Sequence, residues 1–166
     1  QVRRFSPRGE NLANWNLAIV PQAINVGPDG RIYVGGEGRL LVLDAKGEEL
    51  AACDVAGGDQ TRGKAKITGI AVSPRDVFVA ASARSGTGYE VWRMGHDLES
   101  PTIILEGLRG CCSQLDIQAR GEELVVAENT RHRVTRFDRE GDNLGSFGER
   151  SRDGGDGFGG CCNPMN

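Results

Sequence analysis

The chain is short of aromatic side chains, at 5% of its 166 residues, and holds two histidines. With so few histidines and no serine or cysteine spaced to partner them, a nucleophile–base–acid triad has no support. Charge of one sign is also missing. Twenty Lys and Arg stand against 23 Asp and Glu, a formal net charge of −3, with both signs mixed along the chain. That balance argues against a nucleic-acid partner, which calls for a concentrated basic face. No apolar run is long enough to span a bilayer, no signal peptide is visible, and no stretch has a helical period with caps. The chain opens inside an expected strand, Val2-Arg-Arg-Phe5, which reads as a native N-terminus lost or processed.

What is abundant is glycine, 25 residues, as many short strands with tight turns require. One phrase recurs three times: Phe5-Ser-Pro-Arg-Gly9-Glu-Asn-Leu12, Leu43-Asp-Ala-Lys-Gly47-Glu-Glu-Leu50 and Phe137-Asp-Arg-Glu-Gly141-Asp-Asn-Leu144. Gly9 and Gly47 are 38 residues apart, and Gly47 and Gly141 are 94 apart, twice 47. A degenerate copy, Trp92-Arg-Met-Gly-His-Asp-Leu98, lies between. Each phrase is an apolar strand end, a polar turn whose Gly supplies the positive φ a hairpin needs, and a new strand opening on Leu. Repeats of about 40 to 50 residues built from short strands mark a β-propeller, one blade per repeat.

The strands align from repeat to repeat. The first full repeat gives Ile24–Val26, Arg31–Val34, Arg39–Asp44 and a strand near Leu50; the second gives Ile70–Val72, Val77–Ala80, Tyr89–Arg93 and Thr102–Leu105. The third gives Leu115–Ile117, Leu124–Ala127, Arg133–Phe137 and Leu144–Phe147. The expectation is an all-β propeller segment of four-stranded antiparallel blades, about three complete plus partial ones. Residues 1–17 end a preceding blade, 18–62, 63–108 and 109–150 are blades, and 151–166 are a loop and the first strand of the next. The continuous apolar run Leu40–Leu43 fits a strand sandwiched between blades, and alternation over Arg133–Phe137 fits a half-buried one.

The third repeat resembles the NHL repeat. Its Glu123-Leu-Val-Val-Ala-Glu-Asn-Thr-Arg-His-Arg-Val-Thr-Arg-Phe-Asp138, followed by Gly141 and Leu144-Gly-Ser-Phe-Gly148, is similar to the family's strand, Ala-Asp-Thr-like turn, Asn-His-(Arg/Leu)-Val stretch and Phe-Asp-x-x-Gly. Glu128 replaces the usual Asp and Arg131 the usual Asn, while His132 and Val134 are kept. Asp29–Val34 also matches, and Pro21-Gln-Ala-Ile24 resembles the family's Pro-x-Gly-Ile. The second repeat keeps Gly69-Ile-Ala-Val72 and loses most of the central motif. The resemblance implies a propeller, most often six-bladed, and several unrelated roles: interaction platforms, RNA binders, extracellular sensors and a metal-dependent amidating lyase. It implies a structural place for His132. The lyase branch needs His and acidic ligands that this segment does not supply. His96, in the degenerate hairpin, is expected to be solvated. Arg131, Arg133 and Arg136 read as a solvated face offset by Glu122, Glu123 and Glu128.

The cysteines are the departure from that family. Gly110-Cys111-Cys112 and Gly160-Cys161-Cys162 are 50 residues apart, each just before an inner strand, where Leu115 and Met165 correspond. Pro21 and Ile67 align with Cys112. Two independent drifts to the same pair are improbable, so the pairs read as selected, on the face around the central channel. Three readings stand: a vicinal disulfide in each pair, which distorts the intervening peptide; disulfides between neighbouring blades; and thiolate ligation of copper or zinc. The disulfide readings imply an oxidising compartment. Cys53 is left over as a small apolar residue. In the glycine-rich run from Ser151 to Gly160, Asp153 and Asp156 offer carboxylates for calcium. Their spacing does not match an EF-hand, and a plain glycine-rich connection is preferred.

The chain therefore reads as a non-catalytic binding or scaffold module of an exported protein, extracellular or periplasmic, with no resident cofactor. Its binding face carries Cys111, Cys112, Cys161, Cys162, Asp153 and Asp156, and its partner is a protein or a second copy completing the ring. The alternative is a redox- or metal-associated protein using the paired cysteines as soft-metal ligands or exchangeable disulfides. An enzyme of the lyase or lactonase kind is the weaker alternative and needs ligands from further blades.

Overall fold

The computed structural model describes residues 1–55, 65–85, 87–111, 114–151 and 157–159. Strands β1 (Val2–Phe5) and β2 (Asn11–Trp15) form a two-stranded sheet. Three four-stranded antiparallel sheets follow in sequence order. The first holds β3 (Ala23–Val26), β4 (Ile32–Gly36), β5 (Arg39–Leu43) and β6 (Glu49–Asp54). The second holds β7 (Ile67–Val72), β8 (Val77–Ser82), β9 (Tyr89–Met94) and β10 (Thr102–Leu108). The third holds β11 (Asp116–Arg120), β12 (Glu123–Glu128), β13 (Arg133–Phe137) and β14 (Asn143–Phe147). One 3-10 turn, Asn129–Arg131, is the helical element among the described residues. The first strands adjoin one another, β3 against β7 and β7 against β11, so they sit innermost. The architecture is the expected β-propeller: three complete blades and, before them, the outer half of another.

The first and second blades are apolar on both faces because each lies between neighbours. In β5, Leu40 and Val42 join the core shared with the second blade, while Leu41 and Leu43 join Val2 and Trp15 of the leading half-blade and Ile19 of the connection that follows it. The second and third blades share Phe78, Ala80, Val91, Ile117, Leu124 and Val126. In β13 only Thr135 and Phe137 are buried, the alternation read from the sequence. Cys53 packs as a small apolar residue, its Sγ 3.8 Å from Met94 Sδ.

The recurring phrase is a hairpin with a side-chain cap. Ser6 Oγ accepts the amides of Arg8 and Glu10, Asp44 Oδ1 those of Lys46 and Glu48, and Asp138 Oδ1 those of Glu140 and Asp142, all at 2.8 to 3.2 Å. The turn closes on a glycine at φ +84°, +88° or +95°, where L side chains are strained. Bonding to the amides of Glu48 and Lys46 holds the Asp44 carboxyl below the usual range.

Polar latches then join blade to blade. Near the axis, Asn25 Nδ2 donates to Ile70 O at 2.7 Å and Thr68 Oγ1 to Leu115 O at 2.9 Å. At the hairpins, Arg31 pairs with Asp97 at 2.6 Å, and Arg139 grips Asp76 through Nε and Nη2 at 2.9 and 2.8 Å. Arg4 Nη1 donates to Ala45 O at 3.2 Å and Arg93 Nη1 to Arg139 O at 2.7 Å. His96, expected in solvent, is instead half-buried: its Nε2 lies 3.0 Å from Ser73 O and its ring stands edge-on to Tyr33. The hairpin that carries it closes on Leu98 at φ +64° in place of a glycine, and the Leu98 side chain is buried in the core shared with the first blade.

A Cβ on Gly47 falls 2.5 Å from the Trp15 ring, whereas one on Gly30, also at positive φ, meets nothing within 4 Å. Gly30→Ala is expected to cost about 1 kcal/mol, the backbone term alone. Gly47→Ala is expected to cost about 3 kcal/mol, because the blade contact is overpacked as well. Urea unfolding followed by circular dichroism measures both; equal losses would show that the Trp15 contact is not made.

Candidate functional site

The end of the propeller opposite the capped hairpins is built from the loops between second and third strands and from the crossings between blades. Cys111 lies in the crossing from β10 to β11. It bridges to Gln114, whose amide donates to Cys111 O at 3.1 Å. Gly110 precedes it because a Cβ there would stand 2.0 Å from Gln114 O. The same close approach recurs at Gly36 against Val20 O in the crossing before β3.

The β12–β13 loop fixes this crossing. Asn129 Oδ1 accepts the Cys111 amide at 2.7 Å, and Thr130 Oγ1 donates to Arg109 O at 2.9 Å. That loop is itself held by Glu128, a carboxylate with no solvent exposure. Glu128 takes Arg131 Nη1 at 2.7 Å, Arg133 Nε at 2.5 Å and Thr135 Oγ1 at 2.9 Å. The remaining arginine of the group, Arg136, is bidentate on Glu123 at 2.9 and 3.0 Å. The basic cluster is thus neutralised by built ion pairs rather than merely offset by loose surface charge. His132 follows at φ +52°, with Nδ1 buried and without a hydrogen-bond partner among the described residues. Its place is structural, ending the turn in a left-handed conformation.

Beside Gly110 opens a cleft of about 740 Å³, lined in part by Lys66, Ser82, Tyr89, Leu108, Arg109 and Thr130. Its volume falls within the range of ligand sites, and its lining mixes two cationic residues with hydroxyl-bearing ones, glycines and Leu108. Next to it, Glu90 is buried and accepts the Arg84 amide at 3.0 Å, while the Arg84 guanidinium lies over the Trp92 ring.

Of the six residues assigned to the binding face from the sequence, Cys111 is the one among the described residues, and it lies at this end of the propeller. Cys112, Cys161, Cys162, Asp153 and Asp156 lie outside the described residues. Among the described residues no three His, Cys, Asp or Glu side chains gather to hold a metal ion. Sequence reasoning missed Glu128, Asn129 and Thr130 as the support of the cysteine crossing. The signal was present: a polar Glu-Asn-Thr run straight after an apolar strand, with Arg-x-Arg following.

No family model and no curated protein matches the chain. Solved structures do. A protein of unknown function from Bacteroides caccae is 14% identical, with a TM-score of 0.58 over 86% of this chain and 52% of its own. The glutaminyl cyclase of Myxococcus xanthus is 12% identical, with a TM-score of 0.51 over 80% and 52%. A putative oxidoreductase (glucose dehydrogenase) from Thermus thermophilus is 20% identical, with a TM-score of 0.52 over 75% and 45%. These likenesses show the propeller fold. The chain spans about half the length of the structures it matches.

Glu128→Ala leaves two guanidinium groups without their carboxylate and is expected to cost about 3 kcal/mol. It also frees the Cys111 amide to exchange faster with deuterium; unchanged protection at Cys111 would show that the loop does not support the crossing. Burial pushes the Cys53 thiol up to about 11 from 9.0. A thiol raised on folding stays protonated, so its contribution to stability is intact below pH 9 and is lost as pH rises to 11. Iodoacetamide labelling of folded Cys53 near pH 8 is expected to run roughly a hundredfold slower than in the unfolded chain; equal rates would show an accessible, unshifted thiol.

Proposed function

We propose that the chain is part of a non-catalytic NHL-type binding or scaffold module of an exported protein, with the cysteine-bearing face as its binding surface. The observation that supports this most is the position of Cys111 in a crossing braced by Asn129, next to an open cleft lined by Arg109 and Thr130. A braced crossing is rigid, and a rigid surface binds at lower entropic cost. The occupant is a protein partner that meets this face, with acidic groups set against Lys66 and Arg109. The NHL assignment rests on the third repeat, Glu123 to Gly148. Two of the structural neighbours carry enzyme names, but at 12% and 20% identity those likenesses carry the fold alone.

The paired cysteines are proposed as disulfides, which places the module in an oxidising compartment, extracellular or periplasmic. Of the five cysteines, four are then bonded and one is free. Thiol titration of the denatured, unreduced chain is expected to count one thiol, and five after reduction, with an intact-mass gain of four hydrogen atoms. Five thiols before reduction would remove the disulfide reading, and stoichiometric copper or zinc in the native protein would favour the metal-associated one. A photo-crosslinking residue at Arg109 is expected to capture the partner from a secreted or periplasmic extract, and one at Glu49 on the outer strand β6 is not. Equal capture at the two positions would sink the binding face.

A further inference from the structure

We infer that the second blade holds a recess for a primary ammonium group, with the buried carboxylate of Glu90 as its receptor. The residues that form it all belong to that blade. It uses neither the cysteines nor the cationic cleft beside it.

A bulge builds the recess. Tyr89 of β9 pairs with Leu108 of β10 and Val91 pairs with Leu105, so Glu90 alone faces two residues, Glu106 and Gly107. Gly107 takes φ +69°, a conformation that strains a side chain. An extra residue of this kind bends its strand and re-aims the side chains around it. Here it leaves a recess of about 560 Å³ between the β9–β10 pair and the loop that joins β8 to β9. Arg84, Ser85, Thr87, Glu90 and Glu106 are among the residues that line it.

The two carboxylate oxygens of Glu90 are treated unequally. The side chain is 6% exposed, and one oxygen, Oε1, accepts the Arg84 amide at 3.0 Å. The other, Oε2, is buried and accepts no hydrogen bond among the described residues. Arg84 Nε stands 3.6 Å from it, beyond hydrogen-bond reach. Its guanidinium is drawn instead to the Trp92 ring, 5.3 Å from the centroid. Trp92 lies two positions beyond Glu90 on β9 and so shares its face. A buried charged oxygen that lacks a donor calls for one, and Glu90 presents it where the recess forms.

The chemistry of the lining selects the ligand. Two carboxylates, Glu90 and Glu106, stand against one guanidinium, Arg84, so one negative charge is in excess and the occupant is a cation. A guanidinium is held best by both oxygens of a carboxylate, and Oε1 of Glu90 is already taken by an amide. A hard divalent ion needs six or more oxygens, and a guanidinium 3.6 Å from Oε2 repels it. An ammonium is compact and carries three donors: one for Glu90 Oε2, the others for Glu106 and the hydroxyl oxygens of Ser85 and Thr87. Arg84 closes the recess over Oε2. Its side chain is 49% exposed on a loop, so the entering ammonium moves it aside along the Trp92 face. The ammonium belongs to a lysine side chain of a protein or to a free amine.

Nuclear magnetic resonance of the whole nitrogen-15-labelled chain, at constant ionic strength, tests this. The signal followed is the Arg84 amide, which Glu90 binds. Two probes are titrated, Nα-acetyl-lysine amide and propylamine. Each is expected to give a saturating shift, and the Nε-acetylated form of the first to give none. Glu90→Gln keeps an oxygen for the Arg84 amide and is expected to weaken binding more than about tenfold. Glu106→Gln changes an exposed residue and is expected to weaken it about threefold. Arg84→Ala removes the competing cation and is expected to tighten it. A shift with propylamine alone supports a site for free amines, and a shift with both supports one for lysine side chains as well. The absence of saturation with either amine, equal shifts from the acetylated probe, unchanged binding in a folded Glu90→Gln chain, or weaker binding after Arg84→Ala would each overturn the inference. Partner capture at Arg109 reads a different residue, so either result can fail without the other.

Discussion

Everything in this fold depends on the contact between one blade and the next. A four-stranded sheet that is apolar on both faces cannot stand alone in water, because the area it would expose is what stabilises it when covered. The second blade shows the covered state, with Ile70, Val77 and Val79 buried on one side and Phe78, Ala80 and Val91 on the other. The apolar contact fixes distance but not register, since a flat apolar face tolerates sliding. The latches fix register: Asn25 to Ile70 O and Thr68 to Leu115 O near the axis, and the Arg31–Asp97 and Asp76–Arg139 pairs at the hairpins.

The hairpins were legible from sequence because their chemistry is local. A Ser or Asp that caps its own turn, and the glycine that follows it, act within one short stretch and leave the same spelling each time. Strand order followed for the same reason. The latches were not legible, because they join residues 41 to 66 positions apart and change identity between junctions, Arg31 to Asp97 in one and Asp76 to Arg139 in the next. Only the charge product is kept, and a spelling search does not see it. The burial of His96 escaped by the same limit. A hairpin with Gly95 in the capping place and Leu98 in the glycine place looks like a loose turn in sequence. What orders it lies elsewhere in the chain: the core that takes Leu98, and Ser73 O, 23 positions back.

At the cysteine end, the buried polar groups are satisfied differently. Glu128 is out of water, yet three donors surround it, so desolvation is offset by charge-assisted hydrogen bonds rather than by a neighbouring blade. Its role is to hold the short turn that presents Asn129 and Thr130 to the crossing in front of β11. The site is thus three steps deep: carboxylate to turn, turn to crossing, crossing to Cys111. The sequence showed the last of these through the doubled cysteines and hid the first two, because a buried Glu and a surface Glu are written alike.

The two ends of the propeller are therefore under unequal constraint. The hairpin end carries the ion pairs and glycine contacts that set blade against blade, so a change there alters the angle between sheets. At the cysteine end most tethers are shorter: Asn129 and Thr130 reach only the neighbouring crossing, Glu128 serves its own loop, and Glu90 serves the amide of Arg84. Side chains on that end can change with less effect on the stack as a whole. A surface whose support is local and whose scaffold is set elsewhere is free to be specialised for a partner, and it is on that end, not among the hairpins, that the chain carries Cys111.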